Sequence, residues 1–249
     1  VGPGTVRRLE KHGIHTMGEL ARASLYDEDM LYREFGVDAE ILIDHAWGIE
    51  PCGMKEINAY QPETNSICEG QVLSCPYDYE KTRLIVQEMT DSLVYQLMDK
   101  GLVTDGLTLD IGYDRENCDK GGYRGPVQID RYGRTLPKPS HGSIRLESAT
   151  NLGSQLQAAT SALFDRIANP KLTVRRLTLT ANRVVKDPGI FQTDFFTDAA
   201  KLEKEKSLQE AMLGLKKRFG KNAVLKGSNY LEGATMRDRN GRIGGHKAE

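Results

Sequence analysis

The chain has 249 residues, with 34 basic and 35 acidic side chains and a formal net charge of −1. That length allows one or two domains with substantial cores, and the balanced charge excludes a protein that finds its partners by net charge alone. Four cysteines, Cys52, Cys68, Cys75 and Cys118, form no C-x-x-C pair, and the sequence has no signal peptide or long apolar run. A reduced, cytoplasmic protein that does not engage a membrane is therefore expected. The charge is unevenly spread: residues 1–100 hold 9 basic and 18 acidic groups, 101–200 hold 13 and 11, and 201–249 hold 12 and 6. A basic second half suits a polyanionic partner.

In chain order, Val1-Gly-Pro-Gly-Thr5 opens a short helix to about His12, stopped by Gly13. Thr16-Met-Gly-Glu19 is a capping box that starts a second helix, with Leu20 on its inner side. Two short helices joined by a tight turn, the first entered through Gly-Pro-Gly, read as the second half of a helix-hairpin-helix element. Gly2 and Gly4 allow close approach to a phosphate, the free amides of the helix start point at it, and Arg7 and Arg8 add charge. Helical stretches Leu25–Phe35 and Asp38–Trp47 complete a small all-helical domain. Within it, Asp27-Glu28-Asp29 reads as a solvated cap, because adjacent acids on a helix start fan out instead of converging on a metal. Trp47 is expected to pack under the domain edge. From Gly48 to Asn65, Pro51, Gly53 and Pro62 break any pattern, and the stretch reads as a tether.

The stretch from Ser66 to about Lys186 reads as one unit written twice. Strand Ser66–Cys75 leads to a helix over Asp78–Lys100, with Val86, Met89, Leu93 and Leu97 at helical spacing. Val103–Tyr113 then alternates apolar and polar residues, as a strand with one buried face does. The second half repeats the plan: Ser143–Glu147 alternates, Leu152, Leu156, Ala159, Leu163 and Ile167 line a helix, and Val174–Val185 alternates again. The expected fold class is α+β, with the helical domain followed by a β-α-β-β-α-β sandwich. Its four-stranded antiparallel sheet carries both helices on one face, and a C-terminal helical tail follows. The face left bare holds Arg176, Thr178, Thr180 and Asn182 on the last strand and Ser143, Arg145 and Glu147 on the third. It is small, polar and partly basic.

Between Asp114 and Pro139 runs a long loop, Lys120-Gly-Gly-Tyr-Arg-Gly-Pro126 and then Asp130-Arg-Tyr-Gly-Arg-Thr135. Its arginines and tyrosines suit a nucleic-acid backbone. Past Lys186, Asp187-Pro188-Gly189 breaks the pattern before Gly189–Thr197, an apolar segment too short for a core strand. Leu208, Met212, Leu215 and Phe219 mark an amphipathic helix ending in Lys216-Lys217-Arg218, with Gly220 as its stop. Residues 227–249 have the composition of a polar tail.

Taken in this order, the chain resembles the C-terminal half of a bacterial Y-family translesion DNA polymerase of the DinB/UmuC-like DNA-repair group. The hairpin Val1-Gly-Pro-Gly-Thr5 and Thr16-Met-Gly-Glu-Leu20 is like that family's thumb, and Ala46-Trp-Gly-Ile-Glu-Pro51 is similar to the thumb's exit. Gly133-Arg-Thr-Leu-Pro137 and Val174-Arg-Arg-Leu-Thr178 are similar to the DNA-facing strands of its little finger. Gln192-Thr-Asp-Phe-Phe196 resembles its sliding-clamp-binding motif. The resemblance implies a thumb-like domain over 1–50, a linker over 51–65 and a little finger over 66–186. A clamp-binding peptide over 187–200 and an amphipathic helix and polar tail over 201–249 complete it. It further implies that Gly2, Gly4, Thr5, Arg7, Arg134, Thr135, Arg145, Arg175 and Arg176 bind primer–template DNA. By the same resemblance Gln192, Asp194, Phe195 and Phe196 bind the clamp.

In that family the palm carries the carboxylates that hold two magnesium ions, and nothing in this sequence supplies them, so no cofactor and no catalytic residue is expected here. The full-length parent is expected to be a DNA-directed DNA polymerase, because the chain opens on Val1 within a motif. The alternative is a non-enzymatic DNA-binding or clamp-binding adaptor. A single-strand RNA binder with a four-stranded sheet would need aromatic residues on its central strands, where Thr108, Asp110, Thr178 and Thr180 stand instead.

Overall fold

The computed structural model describes residues 1–60, 65–120, 122–130, 132–189, 199–243 and 246–247. They fall into two compact units, Val1–Glu63 and Thr64–Glu249. The first holds α1 (Pro3–Glu10), α2 (Met17–Tyr26), α3 (Glu28–Phe35), α4 (Asp38–Ala46) and α5 (Met54–Ala59). Proline at the first helical position after Gly2 starts α1, where a missing N–H costs nothing. The capping box of α2 is complete: Thr16 Oγ1 accepts from the Glu19 amide at 3.2 Å, and Glu19 Oε2 accepts from Thr16 N at 3.0 Å. The amides of His15 and Thr16 together hold the Glu19 carboxyl below its usual range. Leu9, Ile14, Leu20, Leu31 and Ala39 form the core.

Two expectations for this unit need correction. The stretch Leu25–Phe35 is not one helix, because Asp27 ends α2 and its side chain caps α3 by accepting from Met30 N at 3.3 Å. The supposed tether contains α5, whose start is fastened by Glu56 Oε2 accepting from Gly53 N at 3.0 Å. Its Met54 and Ile57 are more than half exposed, so local capping rather than packing holds this short helix. Trp47 is half exposed at the domain edge, and its indole Nε1 donates to Ser24 Oγ at 3.1 Å.

The second unit runs β1 (Ser66–Tyr77), α6 (Tyr79–Asp99), β2 (Leu102–Tyr113), α7 (Glu116–Asp119), β3 (Val127–Ile129), β4 (Thr135–Pro137), β5 (Ser140–Thr150), α8 (Gly153–Ile167), β6 (Val174–Asn182) and β7 (Val185–Lys186). Then come α9 (Ala199–Phe219), a 3₁₀ turn at Gly227–Tyr230, α10 (Met236–Asn240) and the short pair β8 (Arg242–Ile243) and β9 (His246–Lys247). The sheet is antiparallel in the order β1-β6-β2-β5. It has five strands rather than the four expected, because β7 also pairs with β2, through Leu102↔Lys186 and Val103↔Val185. That pairing keeps the register of β6 on β2, so β7 continues β6 beyond a break at Arg183, which adopts φ 48°. Helices α6 and α8 pack on one face, where Ile85, Met89, Leu93, Leu156, Leu163 and Phe164 meet Leu107, Leu109, Ile111, Leu177 and Leu179, all fully buried. The long loop is part structured: it contains α7 and the hairpin β3–β4.

Helix α9 departs from its expected packing. Leu208, Leu215 and Phe219 are exposed, while the side turned inward presents Glu205, Lys206 and Gln209 together with the partly buried Leu202, Met212 and Leu213. Their partners explain this. Leu152 gives α8 no side-chain cap, and the orphan amides are met from α9: Gly153 N donates to Gln209 Oε1 at 2.8 Å, and Ser154 N to Glu205 Oε1 at 2.7 Å. Lys206 adds an ion pair to Asp187 at 3.1 Å.

The polar C-terminal stretch is fastened rather than loose. Glu88, buried on the second side of α6, accepts from Asn229 Nδ2 (2.9 Å), Thr235 N (2.8 Å), Thr235 Oγ1 (3.1 Å) and Met236 N (3.0 Å). Lys226 pairs with Asp91 at 2.7 Å, and Gln71 Nε2 donates to Thr235 Oγ1 at 2.8 Å. Among the described residues no helix is long and apolar enough to cross a membrane.

Candidate nucleic-acid interface

Strand alternation decides what the uncovered face presents. Reading across β1, β6, β2 and β5 in register, its rows are Ser66, Asn182, Gly106 and Arg145, then Cys68, Thr180, Thr108 and Ser143, then Gly70, Thr178, Asp110 and His141. A further row holds Val72, Arg176 and Gly112. Most of these side chains end within two or three atoms of the backbone, so a rigid partner can come close along the whole face. Gly112 is tight as well as small: a Cβ there would lie 3.2 Å from the Cβ of Arg176.

The charges on this face are mostly matched. His141 Nδ1 lies 2.6 Å from Asp110 Oδ1. Asp105 is bracketed by Arg183 Nε at 2.7 Å and Arg145 Nε at 3.5 Å. Asn182 Nδ2 donates to Thr108 Oγ1 at 2.7 Å. Arg176, exposed, forms no ion pair among the described residues. The face therefore has its positive potential at its two ends, Arg176 at one and Arg145 with Arg183 at the other. Its middle is hydroxyl and glycine.

The sequence-predicted residues divide accordingly. Arg145 and Arg176 lie on the bare face. Arg175 sits in the register shift between Gly112↔Arg176 and Tyr113↔Val174 and reaches Asp114 at 3.8 Å. Arg134 is exposed but committed to Asp130, with Nη2 at 2.6 Å and Nε at 2.7 Å from Oδ2. Burial would raise the Asp130 carboxyl, yet the Arg134 and Tyr132 amides and the Arg134 guanidinium hold it below its usual range. Thr135 opens β4 and is exposed. A cleft of about 700 Å³ between hairpin β3–β4 and the sheet end brings Arg134, Arg175 and Arg176 together, with Val72, Gly112 and Leu136 in its walls.

In the first unit Gly2 caps α1, and the space where a Gly4 side chain would stand is open. Thr5 is half-buried, and Arg7 Nε donates to Pro3 O at 3.2 Å. Arg8 is held by Glu34 at 3.2 Å and lies 4.3 Å from the Phe35 ring centre, so it braces the unit. The clamp-motif residues Gln192, Asp194, Phe195 and Phe196 lie outside the described residues. Sequence reasoning missed Arg183 and Asp105. The strand pattern ran on through Val185 and assigned Arg183 no face, because nothing in the alternation announces a left-handed residue.

Among the described residues no three His, Cys, Asp or Glu side chains are grouped to hold a metal ion.

No protein-family model matches the chain. It is 25% identical over 250 residues to the putative UV-damage repair protein UvrX of Bacillus subtilis strain 168, covering 100% of this chain and 53% of that protein. It is 26% identical over 255 residues to DNA polymerase IV 2 of the same organism, covering 99% and 53%. To DNA polymerase IV 2 of Halalkalibacterium halodurans it is 24% identical over 249 residues, covering 99% and 54%. The chain thus spans about half the length of the curated relatives it matches. These relatives are matched from end to end of the chain, which is thus similar over its whole length to about half of a UV-damage repair protein and of two DNA polymerases IV.

Proposed function

We propose that this chain is the DNA-gripping part of a translesion polymerase, holding primer–template DNA by its backbone while a palm elsewhere does the chemistry. The observation that carries the reading is the bare sheet face, small and polar in the middle with arginines at both ends. From Arg176 to Arg183 is seven strand positions, roughly 20 Å at about 3.3 Å per residue, enough to reach two separate stretches of backbone. Phosphate contacts fix position without reading bases, which suits an enzyme that must accept damaged templates. The amides at Gly2 and Gly4, with Thr5 and Arg7, supply a further backbone contact from the helical unit, and Arg134, Thr135, Arg145, Arg175 and Arg176 supply those of the sheet and hairpin. Hairpin and sandwich play the thumb and little finger of this family. Gln192, Asp194, Phe195 and Phe196 are the docking peptide for the sliding clamp, and free exposed thiols at Cys52, Cys68 and Cys75 accord with a reducing cytoplasm.

The test is binding of the chain to labelled primer–template duplexes of several sequences over a range of salt. Weak binding with a steep salt dependence and little sequence preference is expected. A strong preference for one sequence, or no binding at low salt, overturns the reading. Binding of a Gly189–Thr197 peptide to the clamp of the same cell, lost on Phe195→Ala with Phe196→Ala, tests the second contact.

A further inference from the structure

We propose that Arg145 and Arg183, drawn together by Asp105 over Gly106, form a clip for a single backbone phosphate of nucleic acid. The proposal rests on the reading of the bare face as a DNA interface and adds a site that the sequence pattern did not contain. Three independent observations meet here. Arg183, at φ 48°, is the one described non-glycine residue in the left-handed region, where an arginine is strained. Such strain persists where surrounding structure fixes it, and it clusters at binding sites. With Arg183 half exposed, a single ion pair to Asp105 adds little to stability and does not by itself account for the strain.

The second observation is the floor. Gly106 lies in register between Asn182 and Arg145, and a Cβ there would come within 2.5 Å of Arg183 Nη2. Only glycine leaves the guanidinium room to lie flat across the strand. The third is the donor count. Arg183 uses Nε on Asp105 Oδ1 and Nη2 on Asp105 O, and Arg145 approaches only through Nε. Among the described residues, Arg183 Nη1 and both terminal nitrogens of Arg145 have no hydrogen-bond partner. Two guanidinium groups against one carboxylate leave one net positive charge and free N–H groups, an arrangement that matches a phosphate. Asp105, three-quarters buried, is the positioning residue.

The experiment titrates the whole chain into a labelled primer–template duplex over a salt series, for wild type, Arg183→Asn, Arg145→Ala and Gly106→Ala. Asparagine tolerates the left-handed backbone, so Arg183→Asn keeps the strand. Each arginine variant is expected to flatten the slope of log affinity against log salt by about 1. Gly106→Ala, which keeps both charges but displaces the guanidinium, is expected to weaken binding with a nearly unchanged slope. Wild-type binding with the same slope in both arginine variants overturns the clip and leaves the interface standing. No wild-type binding removes the interface, and the clip with it. A second arm follows the Gly106 and Asn182 amides by NMR. If inorganic phosphate at matched concentration shifts them as strongly as the duplex does, the site serves free phosphate and the assignment to nucleic acid is wrong.

Discussion

Glu88→Ala should detach the C-terminal segment while the sheet stays folded. The buried Glu88 carboxylate accepts from Asn229, from the Thr235 amide and hydroxyl, and from the Met236 amide. Alanine leaves those donors without their acceptor while the segment stays docked. At the low end of the roughly 1–3 kcal/mol that each orphaned buried donor costs, the three N–H donors of Asn229, Thr235 and Met236 alone come to about 3 kcal/mol, the Thr235 hydroxyl being free to rotate. At 1.4 kcal/mol per tenfold, that is a rise of roughly 150-fold in the opening of this segment. Native-state hydrogen exchange reads it directly. The Thr235 and Met236 amides should lose protection by about that factor, while Leu109 and Leu179 in the central strands keep theirs. Glu88→Gln, which retains one acceptor oxygen, should fall between. Unchanged exchange at Thr235 and Met236 in the alanine variant would refute the reasoning. Equal loss in the central strands would show instead that Glu88 supports the sandwich as a whole.

Arg176→Ala should flatten the salt slope of DNA binding by about 1, whereas Arg175→Ala, turned toward Asp114, should change it by less than half as much in the same titration. Burial pushes the Glu69 carboxyl above the usual glutamate range, only partly offset by the Ser92 hydroxyl and Arg239. A raised folded-state value contributes stability that is full below the ordinary glutamate range and is lost as pH rises through the raised one. Urea midpoints of wild type and Glu69→Gln should therefore shift in the variant's favour between pH 4 and 7, and parallel midpoints would count against it. Thr16→Ala removes the α2 cap and should cost the helical unit about 1 kcal/mol, measured as the loss of its thermal stability.

Much of the sandwich was legible because its period-2 and period-3.6 patterns sit on faces that are in fact buried. Val86, Met89, Leu93 and Leu97 are all in the core, as are Leu107, Leu109 and Ile111. Asp27 reads as a cap and is one, but the helical stretch drawn from Leu25 runs across the end of α2; Gly53 was misread, because a residue that looks like a breaker starts a helix in the supposed tether. Helix α9 shows a different limit. Of its apolar stripe only Met212 turns inward, because the docking site on α8 is a set of unpaired amides, which ask for Glu205 and Gln209 and not for leucine. Nothing in the sequence sets Glu88 and Asp91 apart on α6 until the distant residues that use them, Lys226 to Met236, are in place. On the bare face, Arg145 and Arg176 followed from alternation, while Arg183 did not, since a kink that preserves register leaves no trace in periodicity.

The interruption where β5 meets β2 bears on how copies of this protein behave when crowded. Pairing is regular up to Gly106↔Arg145 and resumes only at Thr104↔Thr150, so β5 carries a run of surplus residues opposite Asp105. β5 is an outer strand of the sheet, and a strand bent in this way offers no straight ladder of amides and carbonyls to a neighbour. Its outward side chains, His141, Arg145 and Glu147, are charged or titratable and exposed, which further discourages a second β5 from lying alongside. Neighbouring molecules at high concentration would thus be kept from zipping sheet to sheet, each remaining a separate unit.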